Sequence, residues 1–487
     1  MSVLNKLVLS PFEWSMSDRV SATPMEFIVR LDCVGTIDAP KFSEAIMAEL
    51  GRQPLFQANA SVGETHRESF WRPASNCTPE IRWFDGNPDE GSAPIEDFVP
   101  IDLEIEIGFR FYGWRFYANN QNRIVMTFMY HHSCCDGKGG LGFVENVLHR
   151  YQCLVGDNTE LIGKLAVVDE QQLLNRNFPS PNKPSFADRV WRALVIRPKR
   201  AGNMLLSKPR MFSRSANASG DGGDIDSELP QQCSSRLSLD ETKQLGEFGR
   251  RMSVSTNTIL ARELFHTISD YLKNNSSAND ENKTASAETE AQRNNRALRI
   301  LIPFSLRDER HKHMPAANCV SMAYLEATQK TLNADSSSNP ELLLDLTRQV
   351  DFIRRWNLQY AWIESLNSYA KIWPVIRFFK FGRKSRPKRM VPIATTVMTN
   401  LGRVFSEGEL VRNGELAVKD LLVESVHVLP PCSSNIIVNF SVNFYGNRLT
   451  LDASYLASEL TQKAAEGLLG SWKRRILDSA TKPRIDR

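Results

Sequence analysis

The sequence contains no run of about 18 apolar residues, the minimum for a membrane-crossing helix. Its N-terminal apolar stretch, Leu7-Val8-Leu9, is broken by Pro11 and is too short for the core of a secretory signal. The eight cysteines are scattered and include no Cys-x-x-Cys pair, a pattern that fits reduced thiols in a cytoplasm. Neither sign of charge dominates. Sixty Lys plus Arg against 56 Asp plus Glu leave a net charge of +4, which gives no overall electrostatic reason to expect nucleic acid as a partner. No internal repeat at solenoid spacing is present. What the chain does have is length. Its 487 residues, 41% apolar and 24% charged, exceed what one hydrophobic core usually supports, so at least two packed units are expected.

Strand-like and helix-like segments interleave along the chain. Phe27–Val34 is an extended run, followed by a helical pattern over Ala39–Leu50 in which Asp38 suits the N-cap and Pro40 the first turn. Ile124–Tyr130 reads IVMTFMY, an uncharged stretch that fits a strand buried on both faces. A Gly-rich turn follows, then a helical spacing at Phe143, Val147, Leu148 and Tyr151. Later segments include a short strand near Ser234, a helix over Thr258–Leu272 and a strand over Arg299–Leu306. Asn435–Phe444 and Arg448–Ser454 read as a hairpin, and Gln462–Ile476 as a final helix. The expected class is α/β (α+β) in two lobes: residues 1–180, a basic Pro/Ser/Gly-rich crossover over 181–230, and residues 231–487. Within the second lobe, 274–295 has no large apolar residue and is expected to be a disordered loop.

Between the buried strand and the helix lies His131-His132-Ser133-Cys134-Cys135-Asp136-Gly137. Successive residues of an extended chain face opposite ways, so one histidine packs inward while its neighbour faces a cleft. An imidazole titrating near neutrality is suited to general-base work. Asp136 can turn back to orient the loop or pair with an Arg, and Gly137 permits close approach of a long ligand. Three other readings compete. A metal site has suitable donors, but consecutive residues converge poorly on one ion and no second ligand cluster exists. Gly137–Gly142 satisfies GxGxxG, but HHSCCD intervenes after the strand and no acid-terminated strand follows at dinucleotide spacing. The third reading is two satisfied core histidines beside a Gly-rich turn.

HHSCCDG resembles the HHxxxDG motif of the chloramphenicol acetyltransferase-like superfamily, which includes condensation domains, alcohol acetyltransferases and wax ester synthases. Ile302-Pro303-Phe304-Ser305-Leu306-Arg307 with Ala317-Asn318 is similar to the family's strand ending in Arg and its later Asn turn. Thr399-Asn400-Leu401-Gly402 is similar to the SNLG-like segment of its lipid branch, and Thr256–Leu260 to the start of a C-lobe helix. The DFGWG segment of the plant branch is absent. The resemblance implies two lobes, each a mixed sheet flanked by helices, meeting along a channel. It implies His132 as general base, with Asp136 structural and paired to an Arg, for which Arg307 is the candidate. His131 is packed, Gly137 keeps the channel open, and groups near Asn400 help polarise the carbonyl. No permanently bound cofactor and no metal are implied. The donor is an acyl thioester on coenzyme A or on the phosphopantetheine of an acyl carrier protein, and the acceptor a small-molecule or lipid-like alcohol or amine. A stand-alone condensation enzyme and a non-catalytic docking lobe are the alternatives.

Two stretches, 189–214 and 371–389, each carry eight basic residues and no acidic one, with apolar and aromatic residues interleaved. They suit peripheral contact with an anionic membrane, an acidic carrier protein or the phosphates of coenzyme A, or simply form a solvated face. The expected location is cytoplasmic, with membrane contact at most peripheral.

Overall fold

The computed structural model of the chain describes residues 4, 7–17, 24–63, 66–75, 77–88, 99–156, 165, 167–176, 208–212, 228–276, 296–336, 340–367, 393–433 and 435–481. The basic stretch 371–389 lies outside the described residues, as does 189–214 apart from 208–212.

In chain order the regular elements are α1 (Pro11–Ser15), β1 (Glu26–Gly35), α2 (Ala39–Leu50), β2 (Ala58–Ser61), β3 (Phe70–Pro73), β4 (Glu80–Asp85), β5 (Phe109–Ala118), β6 (Gln121–His131) and α3 (Gly137–Gly156). Then come β7 (Gln231–Arg236), α4 (Leu239–Met252), α5 (Thr256–Ser276), β8 (Leu298–Ser305), β9 (Val320–Ala327), α6 (Gln329–Ala334), α7 (Glu341–Arg355) and a helical segment at 361–367, α8. Last are β10 (Thr396–Arg403), β11 (Val411–Arg412), β12 (Glu415–Val418), β13 (Leu421–Leu429), β14 (Val438–Tyr445), β15 (Arg448–Tyr455) and α9 (Gln462–Thr481). The class is the expected mixture of strands and helices.

Local chemistry accounts for several boundaries. Asp38 caps α2 by accepting from the Lys41 backbone N–H, with Pro40 in the first turn. The β14–β15 hairpin turns at Gly446 and Asn447, whose φ values of 57° and 59° are both positive, as a two-residue hairpin turn requires. Two expectations change. Residues 274–276 continue α5 and are not loop, while 277–295 lies outside the described residues. The glycine run after Asp136 is also not a turn. Helix α3 begins at Gly137, so these glycines form its first turns.

The strands form two large sheets, ordered β11-β12-β13-β1-β6-β5-β4 and β7-β15-β14-β10-β8-β9. Each has its own apolar core. One gathers Phe42, Phe56, Phe109, Phe128 and Phe143, the other Leu264, Phe265, Phe440, Leu468 and Trp472. A division at residue 230 places β11, β12 and β13 with the second lobe, but all three pair into the first sheet. There β13 runs antiparallel to β1, with Ile28 opposite Leu429.

Strand β13 is tied to both sheets. Alternate residues of β14 point the same way. Ser441, Asn443 and Tyr445 use that face to donate to the carbonyls of Val428, Val426 and Val423, the last two at 3.0 and 2.7 Å. Arg236 adds a 2.7 Å bond to the Glu424 carbonyl. At the same seam the His427 ring lies 2.7 Å from Asp452 Oδ1 by Nδ1, and 3.2 Å from Asp32 Oδ2 by Nε2. Ser425 Oγ is 3.0 Å from Nε2.

Burial pulls the His427 imidazole down, but Asp452 and Asp32 outweigh it and raise its pKa to about 10. This folded value lies above the ordinary 6.5. The cluster's contribution to stability is therefore complete below about pH 6.5 and is lost as pH rises toward about 10. Resistance to urea is expected to fall across that range. The His427→Gln variant, measured at the same pH values, is expected to show a flatter decline; identical slopes would assign the loss to other groups.

Candidate active site

Strand β6 delivers the motif. It pairs with β1 up to its last residue, His131 opposite Glu26, and the His132 N–H donates to the Met25 carbonyl at 2.8 Å. The chain then turns, with Cys134 N–H donating to the His131 carbonyl at 2.9 Å. His131 is fully buried, and its Nδ1 accepts from the Ser133 N–H at 3.2 Å. Ser133 Oγ donates to the carbonyl of Glu13 on α1 at 3.1 Å. His132 is half-buried, and its ring lies 5.1 Å from that of Phe27. Inward and outward histidines therefore follow from strand alternation. Among the described residues no three His, Cys, Asp or Glu side chains converge into a metal-holding group. The GxGxxG residues lie within α3 itself and form no loop between strand and helix.

Asp136 caps α3. Its carboxylate is fully buried and accepts from the Gly139 N–H at 2.8 Å, the geometry of an N-cap oxygen. Arg307 Nη1 reaches both carboxylate oxygens at 2.7 and 2.5 Å, and the Cys319 N–H donates to Oδ2 at 2.9 Å. Burial raises the carboxyl pKa, but the Arg307 charge and these donors outweigh it, so Asp136 titrates below its ordinary value. Arg307, just past the end of β8, also donates from Nη2 to the Ala317 carbonyl at 2.8 Å. One ion pair thus fastens the motif to the other half of the chain.

Asn318 lies beside this anchor. Its Nδ2 donates to the His132 carbonyl at 2.8 Å and sits 3.1 Å from His132 Nδ1. Loss of hydration pulls the His132 pKa below 6.5, against the backbone carbonyls of His132 and Cys135 and the Asp136 charge, which raise it. The imidazole is therefore held mainly neutral at neutral pH. The neighbouring thiols lie out of reach of solvent. Cys134 and Cys135 are fully buried, and burial pushes the Cys135 thiol well above its ordinary pKa.

The remaining expected residues divide. A Cβ at Gly137 would stand 3.0 Å from Leu401 Cδ2, so β10 packs against the start of α3 there. At Gly140 it would stand 3.0 Å from the Phe27 ring and 3.2 Å from Tyr130, which is why α3 crosses so close to the sheet. Asn400 is on β10, but its amide is engaged elsewhere. Nδ2 donates to Asn257 Oδ1, and Oδ1 accepts from the Gly402 N–H at 2.7 Å. The structure thus brings His132, Asn318, Asp136 and Arg307 together and ties Asn400 to α5. Sequence reading missed α1, whose Glu13 touches this cluster together with the C-cap residue Met16. The capping pair Ser10 and Glu13 was its available signal.

No family model and no curated protein matches the sequence. Solved structures do match over nearly the whole chain. The first condensation domain of the calcium-dependent antibiotic synthetase, in complex with a substrate analogue, aligns with 98% of this chain and 96% of its own, at 11% identity and a TM-score of 0.63. The starter condensation domain of rhizomide synthetase, in complex with C8-CoA and Leu-SNAC, aligns with 98% and 95%, at 13% identity and 0.62. Trichothecene 15-O-acetyltransferase from Fusarium sporotrichioides aligns with 97% and 94%, at 12% identity and 0.62. The chain therefore shares the α/β fold of these solved condensation domains and of the acetyltransferase, with its strands in two large sheets.

Proposed function

We propose that this protein is an acyltransferase, moving an acyl group from a thioester to a hydroxyl or amine with His132 as general base. The observation that carries the reading is a neutral, half-buried His132 on a loop fixed by Asp136–Arg307 and Asn318, in a fold shared with condensation domains and an acetyltransferase. In the reaction, His132 removes the proton of the acceptor as its oxygen or nitrogen attacks the thioester carbonyl. The C–S bond then breaks, and the same proton passes to the leaving thiolate. No covalent acyl-enzyme is required, in keeping with the buried, high-pKa thiol beside the motif. Asp136 and Arg307 act as positioning residues, and Gly137 admits the pantetheine arm. Groups near Asn400 help polarise the carbonyl: its Nδ2 gives one hydrogen to Asn257 and keeps a second N–H.

Coenzyme A and an acyl carrier protein both present the acyl group as a phosphopantetheine thioester, so the same site serves either donor. Free-thiol release from acetyl- to palmitoyl-coenzyme A, and from the same acyl groups on a carrier protein, tests the proposal with mixed alcohol and amine acceptors. Acceptor-dependent release that disappears in His132→Ala is the expected result. Release that survives the substitution removes His132 from the chemistry. Silence with every donor and acceptor removes acyl transfer itself. In the same reading, anionic vesicles test peripheral membrane contact: binding at moderate salt supports a lipid-like acceptor, and none removes that idea.

A further inference from the structure

Gln53 follows α2 and precedes Pro54, and a residue before proline is restricted to extended backbone, here φ −108° and ψ 98°. Its N–H donates to the Leu50 carbonyl at 3.0 Å, so the helix end and the proline together fix where the side chain starts. That side chain is buried and bonded at both ends. Nε2 donates to Glu49 Oε1 at 2.8 Å, and Oε1 accepts from the Ala316 N–H at 2.8 Å, across 263 positions of sequence.

Each partner leads toward the candidate base. The Glu49 carboxylate is fully buried and also accepts from Asn146 at 3.0 Å and Arg150 at 2.9 Å, both on α3, and from Arg52 at 3.0 Å. So many donors hold a buried charge in one place. Glu49 is thus a fixed point joining α2 to the helix that Asp136 caps. At the other end, residues 316–319 are buried but belong to no helix or strand. No ladder holds their backbone, and buried backbone groups outside a ladder need partners from side chains. Gln53 takes the Ala316 N–H, Arg307 the Ala317 carbonyl and Asp136 the Cys319 N–H. Asn318 sits inside this bracket. Its amide meets the His132 carbonyl at 2.8 Å and lies 3.1 Å from Nδ1, and both contacts need its backbone in one position. Two of the three bracketing bonds come from the Asp136–Arg307 pair, and Gln53 supplies the third from the end of α2.

We infer that Gln53 is a positioning residue for acyl transfer, holding residues 316–318 so that Asn318 keeps the His132 ring in place. The inference rests on the acyl-transfer reading and adds to it a residue outside the motif that acts through Asn318.

Gln53→Met keeps the length of the side chain and removes both of its bonds. The buried Ala316 N–H is then unpaired, and the segment shifts to find another acceptor. Misplacement of a reacting group by about 1 Å can cost about 100-fold, so kcat is expected to fall about 10- to 100-fold with KM little changed. An unchanged kcat overturns the inference. A cycle with Asn318→Ala isolates the route. If Gln53 acts through Asn318, Gln53→Met costs little more once Asn318→Ala is present. If the two losses multiply, Gln53 acts by another route and the inference is overturned.

Titration of the His132 imidazole by nuclear magnetic resonance, its signal assigned by absence from His132→Ala, reads the ring without turnover. Asp136 and His131, the ionisable side chains that act on that ring, are untouched by the substitution. In Gln53→Met the midpoint is expected to rise toward 6.5, in the same direction as in Asn318→Ala. A midpoint that stays in place makes Gln53 purely structural and overturns the inference. If Gln53→Met does not fold, Gln53→Asn, one methylene too short to span both partners, is carried through the same measurements. If the parent turns over no donor, the acyl-transfer reading falls, while the titration still decides whether Gln53 holds the ring.

Discussion

His132→Ala is expected to lower kcat/KM for acyl transfer by about 10²–10⁴-fold, the usual worth of a positioned acid–base group. The thermal midpoint is expected to move little, because the side chain is half-buried and its loss leaves Asp136 and Arg307 paired. The pH profile sharpens the same expectation. Loss of hydration holds the His132 pKa below 6.5, so the unprotonated base predominates from mildly acidic pH upward. The acid limb of kcat/KM in the parent is expected to have its midpoint below pH 6.5 and to level off at neutrality. Asn318→Ala tests what holds the ring. With its amide gone, the bonds to the His132 carbonyl and Nδ1 are lost, and the ring is expected to gain water and titrate closer to 6.5. A limb that stays in place while kcat falls would assign Asn318 to substrate contact. If His132→Ala retains full activity, the base lies elsewhere and the profile belongs to another group.

Much of this site was legible because its information is local. The uncharged run Ile124–Tyr130, the polar break at His131 and the helical spacing after Phe143 specify strand, turn and helix without reference to the rest of the chain. The inward and outward histidines follow from strand alternation alone. The Asp136–Arg307 contact lies between residues 171 positions apart. No spacing rule reaches that far; the resemblance to HHxxxDG proteins is what suggested Arg307. The illegible parts are those set by long-range packing. Strand β13, LLVESVHVL, alternates as many strands do, and nothing in its pattern says that β1 is its neighbour. Glu13 and Arg176 look like ordinary surface charges until the fold buries them against each other. The glycines of GKGGLG suggest a loop by propensity, yet α3 keeps them because a side chain at Gly140 would meet Phe27 and Tyr130. Tertiary packing there overrides the local preference.

Arg307→Leu is expected to destabilise the protein by about 3–5 kcal/mol, the range for stripping one partner from a buried ion pair. Asp136 would remain fully buried with only the Gly139 and Cys319 N–H groups to hold its charge. Its carboxyl pKa, now held below the ordinary 3.8 by Arg307, would lose its largest lowering influence. The sign of the pH effect follows. A depressed folded pKa stabilises the parent above about pH 3.8, and that contribution is lost as pH falls through the folded value. In Arg307→Leu the carboxylate is expected instead to take up a proton on folding at higher pH, so the variant's deficit should shrink as the solution is acidified toward pH 4. Urea denaturation of both proteins between about pH 4 and 8 measures this directly. The double change Asp136→Leu/Arg307→Leu separates charge from packing. If the buried unpaired carboxylate is the cause, the double variant recovers part of the loss despite losing the N-cap oxygen of α3, worth about 1 kcal/mol. If it is no more stable than the single variant, the guanidinium's bond to the Ala317 carbonyl, which fixes the segment carrying Asn318, is the larger contribution. In that case the thiol-release rate of Arg307→Leu should fall as far as that of Asn318→Ala, because both would free His132 by the same route.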